Sequence, residues 1–150
     1  MTRVCLVGSP DTDLRYELLS RETARDALST YDLAEPFENT VAVETVSLGT
    51  AVALCNDLDW YLRRFADGAW ILEPSVDETE WLSRALATAV RDGEVTPEDT
   101  GRFLKLYGVE DGRPVEPMYV ARTGGPLPEY DLREVERTVR VRVTETEFEG

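Results

Sequence analysis

Gly8-Ser9-Pro10-Asp11-Thr12-Asp13, where an apolar run gives way to a helical pattern, is the first candidate ligand site along the chain. α/β proteins place phosphates at strand–glycine–helix turns, because helix N-terminal amides point outward there. No second glycine follows, so neither a dinucleotide fingerprint nor a phosphate-binding loop with its lysine is present. Asp11 and Asp13 would repel an anion but could hold Mg²⁺ through oxygen ligands. Gly8, Ser9, Asp11 and Asp13 are therefore the candidate cofactor-binding residues. The plainer reading of the same residues is a capped helix start.

A second constellation is Trp60-Tyr61 with Arg63-Arg64 and Phe65. Leu58, Tyr61, Leu62 and Phe65 fit a buried helical face, and Trp60 lies off it beside the two arginines. Tryptophan flanked by arginine is the composition of interface hot spots. Trp60, Arg63 and Arg64 are thus candidate partner-binding residues, unless a neighbouring element covers them.

A third lies near the end. Residues 1–112 carry 10 basic and 22 acidic side chains, whereas residues 113–142 carry six arginines and five acids. Arg140 and Arg142 alternate with Val139, Val141 and Val143, so they share one face of a strand and form a second candidate contact surface. Such a face can grip phosphates or an acidic partner. No aromatic stands on it to stack a base, and salt weakens phosphate binding steeply. Cross-strand ion pairing is the competing role.

Other chemistry is closed off. With no histidine in the chain, Ser-His-Asp and Cys-His catalysis and histidine-ligated metals are excluded. Thirty Asp plus Glu make carboxylate pairs uninformative, and a Ser-Lys arrangement would rest on Lys105 alone. Cys5 and Cys55 sit on apolar faces and read as small buried hydrophobes without a disulfide. No catalytic residue and no cofactor are assigned.

The elements that must position these groups follow from the patterns. Thr2–Val7 and Thr40–Leu48 predict strands. The stretch from Asp11 through Leu28 predicts a helix, with Leu14, Leu18, Ala24 and Leu28 on one face. Ala51, Leu54, Cys55, Leu58, Leu62 and Phe65 define another, stopped by Asp67-Gly68. Ala69–Leu72 is a buried strand. Asp77 with Glu80 resembles a capping box for a helix through Val90. Thr96-Pro97-Glu98-Asp99 starts another, with Phe103, Leu104 and Tyr107 buried. Val115–Arg122 is strand-like, broken by Pro117 as an edge strand would be. Thr123–Pro128 is a loop, and Thr138–Phe148 alternates as a strand. The order β-α-β-α-β-α-α-β-β predicts a mixed α/β sheet with helices packed on it, parallel crossovers, and a C-terminal antiparallel hairpin. A single domain over residues 1–150 is expected, with 113–150 as a possible appendage.

The chain has 150 residues, 42% of them hydrophobic, enough for a core. Its formal charge is −14; fifteen of its sixteen basic residues are Arg, and Ile71 is the single isoleucine. Acidic excess with lysine depletion fits a salt-filled cytosol, where a Debye length of about 3 Å at molar salt suppresses carboxylate repulsion. No segment reads as a signal peptide or a membrane span, so a cytoplasmic protein is expected. From Thr-Arg-Val-Cys-Leu-Val-Gly to Val-Arg-Val-Arg-Val, the chain resembles small uncharacterised proteins encoded in haloarchaeal genomes. That resemblance implies habitat and size and transfers no site residues. The expected function is a cytosolic protein-interaction or regulatory domain, acting on an unknown partner or a second copy. The alternatives are a small Mg²⁺-dependent nucleotide or phosphate-metabolite enzyme at Gly8–Asp13, and RNA binding through the arginine-bearing strand.

Overall fold

The structure is a computed structural model, and it describes residues 1–115, 117–122 and 137–149. Its strands are β1 (Thr2–Gly8), β2 (Thr40–Thr45), β3 (Ala66–Leu72), β4 (Trp81–Ser83), β5 (Phe103–Glu110), β6 (Arg113–Pro114), β7 (Met118–Ala121) and β8 (Arg137–Val143). The helices are α1 (Leu14–Leu19), α2 (Glu22–Leu28), α3 (Leu48–Asp57), α4 (Asp59–Phe65), α5 (Arg84–Arg91) and α6 (Glu145–Glu149). The strands form one mixed sheet in the order β2-β1-β3-β4-β8-β5-β6, with β7 also pairing β5. This is the α/β class expected, with helices packed against a curled mixed sheet.

Alternation along each strand feeds two cores. On one face Val4, Leu6, Ile71 and Leu82 pack against Leu14, Leu18, Val52, Leu58 and Leu86 of the helices. On the other, Cys5, Phe37, Ala42, Trp70, Val109, Val139, Val141 and Val143 fill the inside of the curl. Neighbouring residues on β1 and β3 therefore belong to different cores, as a period of two requires.

Connectivity departs from the expected crossovers. β1 is antiparallel to both β2 and β3, and among the described residues the one parallel ladder joins β4 to β8. The last two long strands do not pair with each other; β5 stands between them, antiparallel to β7 and to β8. Pro117 falls where the outer partner of β5 is interrupted, at the sheet edge, so the missing donor faces no ladder.

Three helical expectations are corrected. The first helix breaks at Ser20-Arg21 into α1 and α2. Asp77 caps no helix: its Oδ2 accepts from the Thr79 and Glu80 amides at 2.9 and 2.7 Å and closes a tight turn. The chain then runs through β4, and Ser83 caps α5 by accepting from Leu86 N at 3.2 Å. Thr96–Asp99 opens only a short 3₁₀ turn at Pro97–Asp99, and Phe103–Glu110 is a strand. Leu104 and Leu106 point to one side of β5, Tyr107 and Val109 to the other. A three-residue apolar spacing fits either period, and the ladders on both edges of β5 decide for the strand. The final strand ends at Val143, where Thr144 caps α6 by accepting from Glu147 N at 3.1 Å. The expected loop Thr123–Pro128 lies outside the described residues.

Candidate functional site

The Gly8–Asp13 turn is closed by hydrogen bonds from its own chain. Asn39, in the left-handed region at φ 57°, reaches across it. Its Nδ2 donates to Ser9 O at 2.9 Å, and its Oδ1 accepts from Leu14 N at 3.0 Å. Gly8 N donates to Asn39 O and Ser9 N to Phe65 O, both at 2.9 Å. Asp13 accepts from Tyr16 N as the N-cap of α1, and Ser9 Oγ donates to Asp67 at 3.1 Å. Gly8 is required by this closure: a Cβ there would sit 2.6 Å from Asn39 Nδ2 and 2.8 Å from Asn39 O. The Gly8, Ser9, Thr12, Leu14 and Tyr16 amides are bonded within the chain, and Asp11 is exposed on the rim. Among the described residues, no three Cys, Asp or Glu side chains converge as metal ligands.

The Trp60 constellation is assembled more fully than its sequence neighbours suggest. Trp60 is 43% exposed on α4. The Arg64 guanidinium lies 3.8 Å from its ring centroid and donates to Trp60 O at 3.2 Å. Arg21, at the start of α2, approaches Trp60 at 5.5 Å and Phe65 at 5.2 Å. Tyr61 and Phe65 meet the indole edge-on at 5.0 and 6.2 Å. Trp60 is thus fixed between aromatic edges and guanidinium planes while presenting exposed surface. Arg63 turns aside to Asp59 at 2.9 Å, which also accepts from Arg84 at 2.8 Å. Arg84's hydrogen bond and both guanidinium charges hold the half-buried Asp59 carboxyl below its ordinary range. Arg21 is far from Trp60 in sequence, and only the packing of α1 and α2 against α4 brings it there.

The second expected contact surface is divided by the fold. Arg140 and Arg142 do share a strand face, but Arg140 is exposed and Arg142 is 8% exposed. Arg142 donates from Nε to Glu80 at 2.8 Å, from Nη1 to Thr100 Oγ1 at 2.8 Å, and from Nη2 to Asp77 at 3.2 Å. Arg122 adds two bonds to the Glu80 carboxylate at 2.9 and 2.8 Å. Burial works against ionisation at Asp77, but the Thr79 and Glu80 amides and the Arg142 charge hold its carboxyl below the usual value. This is a structural ion network, and Arg142 is withdrawn from any surface.

Both cysteines are buried and free. Burial pushes the Cys5 thiol up to about 12, against a Thr40 hydrogen bond and Arg3. It pushes Cys55 up to about 11 against Arg84. Neither is placed for nucleophilic work.

The curl also creates a cleft that residue spacing did not reveal. Lys105 and Tyr107 project from β5 beside Gly68 and Trp70 of β3, and these four residues line two adjoining cavities of about 340 and 500 Å³. The register that sets Lys105 opposite both Val141 and Tyr119 is a property of the sheet alone.

Fold and surface together define a small mixed α/β sheet protein with α1–α5 on one side and an aromatic-lined concave face, bordered by α6, on the other. The chain belongs to a family of unknown function (DUF5804), whose sequence model matches residues 2–109. That match spans β1 to β5, including Trp60, Arg64, Lys105 and Tyr107, and ends before β6. No curated protein and no solved structure matches the chain. Among the described residues, no helix is long and apolar enough to cross a membrane.

Proposed function

We propose that this chain is an interaction module of a salt-filled cytoplasm, acting through a surface centred on Trp60 and without chemistry of its own. The observation that carries the reading is the fixed but exposed indole, with Arg64 stacked at 3.8 Å. Pre-ordering a large aromatic lowers the entropy lost on docking. Stacked guanidinium groups keep in-plane N–H donors free for carboxylates. A partner presenting an acidic segment beside an apolar pocket matches both, and a second copy of this strongly acidic chain could meet the same description. Arg140 stands apart from this surface and is not part of it.

The test is capture of partners from a native-like lysate in molar KCl by wild type and by a Trp60→Ala/Arg64→Ala variant, with light scattering for self-association. Wild type should retain a stoichiometric protein or dimerise, and the variant should lose that association about tenfold or more. Equal association by a folded variant, or nothing retained by wild type, would overturn the reading.

A further inference from the structure

We infer that the cleft floored by Lys105 and Tyr107 is a binding site for a small organic anion, whose carboxylate or phosphate is received by these two side chains. Lys105 is the only lysine among sixteen basic residues. It is partly buried on the concave face, and its Nζ lies 5.3 Å from the Tyr119 ring. Among the described residues, no carboxylate lies within 4.0 Å of that ammonium. Tyr107 lies next along the same face of β5, partly buried, with its ring centroid 4.9 Å from that of Trp70. Its O–H has no acceptor among the described residues. An ammonium and a phenol that both need acceptors, side by side at the floor of a cleft, call for an acceptor-rich, negatively charged group.

Local charge supports the same sign against the field of the whole molecule. In the smaller cavity Arg63, Arg84 and Lys105 face Asp67 and Glu147; in the larger, Lys105 and Arg113 face Asp67. Both carboxylates have donors already: Ser9 at Asp67, and Ser83 and Thr144 N at Glu147. The arginines are bound to Asp59 and Glu38. Among the described lining residues, Lys105 is left as the cation available to a ligand. The remaining walls are apolar, from Leu62, Ala69 and Val141 on one side to Val7, Pro114 and Pro117 on the other. They would hold the organic body, and the cavity sizes fall within the usual range of small-molecule sites. Two other cavities among the described residues are lined by more acidic groups. The one beside Arg142 and Arg122 has both of these arginines committed to Glu80, and its third, Arg102, stands among Glu94, Glu98, Asp99 and Glu145. The one near the N-terminus has Arg3 paired with Glu44.

The experiment is an amide-resolved NMR titration of the full chain with benzoate, phenyl phosphate and inorganic phosphate. It is run on wild type, Lys105→Gln, Lys105→Arg, Tyr107→Phe and the remote surface control Arg25→Gln. Saturable shifts should localise to Gly68, Lys105, Tyr107 and Val141. Benzoate alone would assign carboxylate ligands, phenyl phosphate alone phosphate esters, and both a shared anion site. Lys105→Gln should weaken binding about tenfold or more, with Lys105→Arg and Arg25→Gln close to wild type. Tyr107→Phe should weaken it less, because it removes one neutral donor. The inference is overturned if no probe saturates at the cleft, if inorganic phosphate binds as tightly as phenyl phosphate, or if a folded Lys105→Gln binds like wild type. Should Lys105→Gln fail to fold, loss in Tyr107→Phe with retention in Lys105→Arg supports the site, and no change in either overturns it.

Discussion

At the scale of single residues, the fate of an arginine is decided by what its face of the sheet meets. Arg140 and Arg142 are two apart on β8 and look equivalent in the alternating pattern. The turn closed by Asp77 carries Glu80 over Arg142 and leaves Arg140 in solvent. Removing one member of a buried pair leaves its partner's charge uncompensated. Arg142→Met should therefore cost about 3 kcal/mol by denaturant unfolding, even though Arg122 still reaches Glu80. Arg140→Gln should change stability by no more than about 0.5 kcal/mol. Equal effects would show that the network is not a structural fastening. Alternation alone could place the two arginines on one face; it could not say that one end of that face is roofed.

Elements were legible where the pattern had a single solution. The first three strands, the α3–α4 apolar face and the edge position around Pro117 follow from residue order, because few periods fit them. Trp81–Ser83 was not legible: three residues show no period, and Asp77 and Glu80 mimic the start of a helix. β5 was hidden for a related reason, since Phe103, Leu104 and Tyr107 satisfy a helical face as well as a strand. The pairing partners β7 and β8 lie downstream and are what select the strand. Ser83 rather than Asp77 is the cap of the helix that follows. Its Oγ accepts from Leu86 N while donating to Glu147 at 2.6 Å, so one hydroxyl ties α5 to α6. Ser83→Ala should lower stability by about 1 kcal/mol or somewhat more, read by thermal or denaturant melts, while Asp77→Ala should leave the helical content of α5 intact by circular dichroism. Loss of helix in the Asp77 variant alone would reverse this assignment. The candidate sites divide in the same way: Trp60 with Arg64 is local and readable, whereas Arg21 beside Trp60 and Lys105 beside Gly68 depend on the sheet and helix packing.

At the scale of the molecule, a charge of −14 sets the conditions under which the fold is stable. Repulsion among surface carboxylates is screened within about 3 Å at molar salt. The melting temperature should therefore rise steadily from dilute to molar KCl, and a flat or falling curve would contradict the salt-adapted reading. Acid acts in the opposite direction once repulsion is screened. At Glu73 burial opposes ionisation, but the Thr2 hydroxyl and the Ser75 backbone and side-chain donors outweigh it. Like Asp59 and Asp77, it titrates lower when folded than its unfolded value, 4.5 for Glu73 and 3.8 for the aspartates. Their stabilisation is complete above those values and is lost as pH falls through the depressed folded ones. In molar KCl, stability should hold from neutrality to about pH 5 and fall below about pH 4; a decline beginning near neutrality would point to other groups. The sheet curls around one core and is backed by helices around another, and the proposed Trp60 surface and Lys105 cleft both rest on this frame.

Hydrogen–deuterium exchange of the captured complex against the free chain shows whether the Trp60 surface is where this protein meets its partner. Protection should concentrate on α4 and the adjoining start of α2, with β8 around Arg140 unchanged. Protection elsewhere, with α4 exchanging as it does in the free chain, would contradict it.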